Sequence, residues 1–292
     1  MSYSTITEIV QGKVFALRNT FSLDGRVSAY PDAARGYAIS NCYLLKEDDG
    51  AVLLDTGAAV LESSIIHQLK SLIDDDMPLS LFPLRINEFM SVGNAMSIAR
   101  NFNVVDCYAR VPDVQDWLDF ESSNSYKNET KRPAIPTNSL AAAPDCQVGK
   151  SGHRRLQAFS APIRLISTFW VYDESTKTLF SSDMFSHIWR EEESGPWVVK
   201  DEIDDVSSSP FVRSFLLNTR YWWLEGASID PLRQNVKKVF QQYEIDIIAP
   251  AFGAIFSGKK NVENQFAILD EVLCKLDSSV VEPYYVPRGM QR

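Results

Sequence analysis

The sequence predicts an α/β (α+β) chain folded as an αββα sandwich, and three observations carry that prediction. Short β-type runs alternate with helical stretches in a βαβα rhythm. The second half of the chain repeats the theme of the first, so two β-rich halves are flanked by helices. The 292 residues, 45% hydrophobic and 23% charged, are ordinary for a globular chain able to bury a full core, and one domain covering residues 1–292 is the simplest count.

The elements follow in order. Val14–Leu17, Cys42–Leu45 and Ala51–Leu54 read as strands, the last two joined through Glu47-Asp48-Asp49-Gly50, a hairpin-like turn with glycine at its end. Asp55-Thr56-Gly57 closes the third strand. Leu61, Ile65, Ile66, Leu69, Leu72 and Ile73 then recur at three- and four-residue spacing, the period of an amphipathic helix. A strand over 79–84, a loop, a helix over 94–100 and a strand over 104–108 come next. The polar stretch 121–139, with Pro133 and Pro136, reads as a loop. Strands over 155–159, 169–172 and 178–181, helices over 211–222 and 231–243, and a strand over 245–248 complete the pattern.

Composition excludes some partners. A formal net charge of −9 disfavours nucleic acid and anionic membrane, because binding phosphate needs concentrated Lys and Arg. Lys259-Lys260 and His153-Arg154-Arg155 are too short for that and read as solvated loops. Cys42, Cys107, Cys146 and Cys274 form no Cys-x-x-Cys pair, which removes zinc-knuckle and thioredoxin-like readings and leaves most of them as small buried hydrophobes. The N-terminus lacks a basic start and apolar run, and no segment approaches the roughly 18 apolar residues a membrane span requires. The expectation is a cytoplasmic protein. Asn128-Glu129-Thr130 matches a glycosylation acceptor formally, without a secretion signal to make it meaningful.

Five segments carry a family resemblance: Gly36–Leu44, Leu53–Gly57, the loop Arg85–Ala95, Ala161–Phe185, and Ile248–Gly253. In this order and spacing they resemble the metallo-β-lactamase superfamily, and within it the di-iron domain of flavodiiron proteins and related oxygen-binding di-iron proteins. The resemblance implies a cluster in which His-x-Glu-x-Asp-His from one loop joins a later His, a bridging Asp and a final His around two irons. Here the loop reads Ile86-Asn87-Glu88-Phe89-Met90-Ser91, so Glu88 alone matches. The later His falls near Leu165, Asp183 matches the bridging Asp, and Phe252 stands at the final His. The former metal positions are thus Ile86, Glu88, Met90, Ser91, Leu165, Asp183 and Phe252. Ile, Leu and Phe have no lone pair to offer, so two carboxylates remain and a di-iron or di-zinc site is not expected.

Three histidines exist in the chain, His67, His153 and His187, and none lies on a ligand position. His67 is a helix-face residue, His153 an exposed one, and His187, four residues past Asp183, lies near the old pocket. Two carboxylates left without cations would repel, so Arg85 or Arg164, each beside a lost ligand position, is expected to turn inward and pair with Glu88 or Asp183; the alternative keeps both arginines in solvent and one carboxyl protonated. The vacated site is either filled as core or retained as an apolar cavity for a small organic ligand, with Trp170, His187, Tyr221 and Trp222 as candidate lining.

The resemblance also implies a flavodoxin domain with FMN, but the chain ends at Arg292 soon after the final motif, so neither di-iron nor FMN is the expected cofactor. Phosphate-cradling glycine loops and a Gly-x-Ser-x-Gly elbow are not evident. Three functions stay open. The first is a non-catalytic small-molecule-binding or sensor module, expected as a homodimer because the di-iron relatives commonly dimerise. The second is a divergent hydrolase or oxidoreductase with a site rebuilt around Glu88, Asp183 and the 201–205 acidic run holding a hard cation. The third is a structural partner of an active paralogue. The first is preferred.

Overall fold

The structure is a computed structural model and describes residues 4–110, 118, 134–140 and 145–282. One seven-stranded sheet runs β1 (Ser4–Val10), β2 (Val14–Ser22), β3 (Tyr37–Glu47), β4 (Gly50–Leu54), β5 (Leu79–Phe82), β6 (Val104–Ala109) and β7 (Thr137–Ser139), in that spatial order. The other contains β8 (Asp145–Val148), β9 (Arg154–Ser160), β10 (Phe169–Asp173), β11 (Thr178–Ser182), β12 (Val198–Val199), β13 (Ile247–Pro250) and β14 (Ile255–Ser257), ordered β12-β14-β13-β11-β10-β9-β8. The helices are α1 (Glu62–Lys70), α2 (Phe89–Val92), α3 (Ala95–Asn101), α4 (Ser209–Leu217), α5 (Asp230–Gln242) and α6 (Lys259–Leu276). The chain divides into two compact units. Residues up to 19, 40–160 and 166–176 form the first; residues 20–39, 161–165 and 177 onward form the second.

In the first unit the β3/β4 hairpin turns through Asp48-Asp49, with Glu47 opposite Gly50. From β4 onward β5, β6 and β7 add in parallel. Parallel strands covered on both faces need continuous apolar runs, and β4 and β5 are buried at every position. Helix α1 lays Ile65 and Leu69 on this sheet, each fully buried; each burial contributes roughly 1.5–3 kcal/mol. Gln68, also on the buried face, accepts from Asn19 and donates to the carbonyls of Thr5 and Arg18, pinning α1 to the β1/β2 hairpin.

The second unit places β11 parallel to β13, and β13 antiparallel to β14. Its long helix α6 buries Val262, Leu269, Val272, Leu273 and Leu276 at helical spacing. Phe240 of α5 stacks on Phe266 of α6 at 4.4 Å between ring centres, and Arg233 grips Asp270 through two bonds of 2.6 and 2.8 Å.

Several expectations are corrected. Lys259-Lys260 is no loop but the first turn of α6, an element whose period the sequence carries. The predicted helix over 211–222 stops at Leu217, and a separate 3₁₀ turn covers Trp222–Leu224. Within His153-Arg154-Arg155, His153 is exposed but Arg154 is buried, bonded to Asp173 and to the carbonyls of Lys13 and Lys46. Most of the cysteines are buried as expected, Cys42, Cys107 and Cys146, and Cys274 is exposed. Residues 121–133 and the 128–130 tripeptide lie outside the described residues. No helix among the described residues is long and apolar enough to cross a membrane.

Candidate functional site

In the first unit the motif loop folds around a buried carboxylate. Asp55 follows the end of β4 with a positive φ of 58°, a conformation L-residues seldom adopt, and that turn swings its side chain under the loop. Its Oδ1 accepts the Leu84 amide at 2.8 Å and the Ser91 hydroxyl. Ser91 Oγ in turn accepts the Arg85 amide at 3.1 Å, and the Ser91 carbonyl accepts the Thr56 amide at 2.8 Å. Asn94 clamps the next turn by donating to the carbonyls of Thr56 and Ala58. Gly93 is required there: a Cβ would lie 2.7–2.8 Å from the Gly57 carbonyl, the Ala59 nitrogen and the Phe89 carbonyl.

The guanidinium of Arg85 is the centre of this half. Its side chain is 1% exposed and lies 3.4 Å from Asp55 Oδ2 and 3.3 Å from Glu88 Oε2. One cation therefore bridges two carboxylates in a buried setting. Burial pushes the Asp55 carboxyl up to about 6, with Arg85, the Ser91 hydroxyl and the Leu84 amide opposing that rise and Glu88 adding to it.

In the second unit a second carboxylate follows another strand end with positive φ. Ser182, at φ 52°, closes β11, and Asp183 follows. Arg220 sits 3.3 Å from Asp183 Oδ2 and reaches Ser28 at the same distance. Phe252, 1% exposed, lines the crevice that Asp183, Ser186, Tyr221 and Arg220 share. That crevice has about 10 Å³ available, room for a single water and nothing larger. Gly253, at φ 73°, lets the chain pass: a Cβ would meet the Ile188 carbonyl at 2.6 Å and the Tyr30 hydroxyl at 3.2 Å.

The other anticipated residues scatter. Ile86 is buried in the first unit's core and Met90 is half-buried. Leu165 does not fill a core, being 59% exposed. Arg164 turns to the Ala161 carbonyl at 2.7 Å. Trp170 is fully buried in the first unit with its edge against Phe159, whereas Trp222 is 55% exposed. His187 and Tyr221 are buried in the second unit. Arg220 was missed, because nothing in its sequence neighbourhood ties it to Asp183, 37 positions away. Asp55 stood in a quoted motif, but its burial under Arg85 depends on the loop's path. Among the described residues no group of three or more His, Cys, Asp or Glu side chains is placed to hold a metal ion.

No family model matches the sequence, and no curated protein matches it. Solved structures do. A flavo di-iron protein variant from Thermotoga maritima is similar with a TM-score of 0.65 at 15% identity, over 94% of this chain and 62% of that one. The rubredoxin:oxygen oxidoreductase of Desulfovibrio gigas gives 0.65 at 14% identity, over 93% and 62%. The flavodiiron protein from Giardia intestinalis gives 0.62 at 14% identity, over 94% and 59%. The chain thus spans about three-fifths of the length of these neighbours. At such identity the likeness establishes architecture alone: this chain carries the mixed α/β, metallo-β-lactamase-like αββα fold of the flavodiiron proteins.

Proposed function

We propose that this protein is a metal-independent member of its fold, non-catalytic at the former metal positions, acting as a small-molecule-binding or sensor module in the cytoplasm and working as a homodimer. The observation that supports this reading most is the buried Arg85 guanidinium set between Asp55 and Glu88 at 3.4 and 3.3 Å. A cation fixed by the chain itself supplies the positive charge that a metal would bring. Asp183 has Arg220 in the same role. Ile86, Leu165 and Phe252 offer no donor atoms, so the residues do not fit a di-iron centre. Recognition then falls to exposed apolar side chains, Phe89 of the motif loop and Val60 in the first unit, and Leu165 and Trp222 in the second.

The test is metal analysis of untagged protein, expressed with added iron, zinc and manganese and purified without chelator, read beside its visible spectrum and circular dichroism. Folded, colourless protein with far less than one metal per chain is the expected outcome. Stoichiometric metal would overturn the proposal. For a sample passing that test, a thermal-shift screen of small organic compounds identifies the ligand class, since a compound binding only the folded state at 100 times its Kd adds about 2.7 kcal/mol.

A further inference from the structure

Away from the motif loops, the second unit holds a polar network that the reading above leaves unused. His187 Nε2 lies 2.7 Å from Ser207 Oγ. The Gln265 amide donates to the same hydroxyl oxygen at 3.1 Å and to Asp205 Oδ2 at 2.8 Å, and the Ser207 amide donates to Asp205 Oδ1 at 2.9 Å. Packing fixes the imidazole, which stacks on Phe256 at 5.8 Å and meets the edges of Phe211 and Phe215. His187 is 2% exposed, while Ser207 is only half-buried. Burial pushes the imidazole down to about 4, leaving it neutral at neutral pH, with Asp205 opposing part of that fall.

Two further features belong to the same place. Helix α4, nine residues long, begins two residues after Ser207, and the amides of Ser208 and Ser209 have no acceptor among the described residues. The first amides of a helix lack intrahelical partners and point at developing negative charge. Beside the imidazole, a crevice of about 10 Å³ is walled by Met184, Val212, Phe215 and Leu269. It has room for one water and nothing larger, and Ser207 is not among its walls.

We infer that Ser207 and His187 form a nucleophile–base dyad for acyl transfer, taking an acyl ester, with the Ser208 and Ser209 amides as oxyanion donors. Ser207 Oγ attacks the carbonyl carbon and its proton passes to His187 Nε2. The tetrahedral oxyanion collapses, the carbon–oxygen bond to the alcohol breaks, and the Nε2 proton goes to the departing oxygen. Water then repeats the sequence on the acyl-serine, releasing the acid and restoring the hydroxyl. Gln265 positions the Ser207 hydroxyl by occupying one of its lone pairs. This inference is independent of the metal-free reading of the motif loops.

The test uses a fluorophosphonate probe on the intact chain, with peptide mass spectrometry to locate the adduct and hydrolysis of 4-nitrophenyl acetate as a second readout. One adduct at Ser207 is expected, absent in Ser207→Ala, with the labelling rate down about 100-fold or more in His187→Gln. Circular dichroism establishes that each variant is folded; should His187→Gln fail to fold, wild type against Ser207→Ala decides. Gln265→Glu keeps the side chain's shape while removing the amide donor, and slows labelling without abolishing it. Folded wild type that takes no adduct at Ser207, where a serine esterase control is fully labelled, overturns the dyad. So does labelling undiminished in folded His187→Gln, which would make the network a structural one.

Discussion

Replacing Arg85 by methionine tests the charge arrangement of the first unit directly. Methionine is close to the arginine stem in length and apolar, so the substitution removes the guanidinium while leaving most of the volume filled. Asp55, 3% exposed, then keeps the Leu84 amide and the Ser91 hydroxyl but loses the cation 3.4 Å away. Removing one partner of a buried pair costs about 3–5 kcal/mol; with the remaining bonds retained, about 3 kcal/mol at pH 7 is expected. The pH dependence is the sharper signature. In the wild type the Asp55 carboxyl is raised to about 6 from 3.8, so the folded state binds the proton more tightly than the unfolded chain. Its contribution is therefore fully present below about 4 and is lost as pH rises through about 6. Without Arg85 the carboxyl stays protonated to still higher pH, extending that loss above neutrality. The variant's deficit should shrink by about 1.4 kcal/mol between pH 7 and pH 5, the worth of roughly one proton over one pH unit. Urea unfolding at the two pH values measures this. A deficit under about 1 kcal/mol, or one unchanged with pH, would refute the view that Arg85 is the cation balancing these carboxylates.

Two other perturbations probe the second unit. Arg220→Met removes the cation from Asp183, whose side chain is 12% exposed; partial solvation moderates the effect to about 1–2 kcal/mol, and a denaturation midpoint unchanged from wild type would show that the pair carries no stability. Gly253→Ala forces a Cβ to 2.6 Å from the Ile188 carbonyl at φ 73°, so a loss of about 2 kcal/mol is expected, checked by the same unfolding curves; an alanine variant as stable as wild type would mean the turn relaxes freely. His187 supplies a pH prediction of opposite sign to Asp55. Its imidazole is depressed to about 4 from 6.5, so its contribution is present above about 6.5 and is lost as pH falls toward 4. Folded His187→Gln should lack that acid-side loss of up to about 3 kcal/mol; an acid limb identical to wild type would contradict it.

Much of the fold was legible in the chain because hydrophobic period reports local structure. The apolar run at 51–54 and the largely apolar stretch at 79–82 read as strands and are buried throughout, and the spacing of Ile65 and Leu69 read as the buried face of α1. The seven-residue strand β1 escaped, as did β12 with two residues and β7 with three, the last two too short to establish a period. Helix α6 is different, since Val262, Leu269, Val272 and Leu276 do carry a helical period that the paired lysines at its start obscured.

The sequence by itself determined that the motif positions at 86, 165 and 252 lack donor atoms, and that carboxylates at 88 and 183 would need positive charge. Residue type fixes that much, because no conformation gives isoleucine or phenylalanine a lone pair. Only the tertiary structure decided where the charge comes from. Arg85 and Arg164 were equivalent on paper, yet Arg85 is buried against Glu88 and Asp55 while Arg164 closes a local turn on Ala161. Arg220 reaches Asp183 from 37 residues away. Leu165 faces solvent and Phe252 is enclosed although both replace a ligand in the resemblance. Which side chain meets which depends on how the chain turns at strand ends, as at Asp55 and Ser182, and such turns are imposed by long-range packing that no local pattern records.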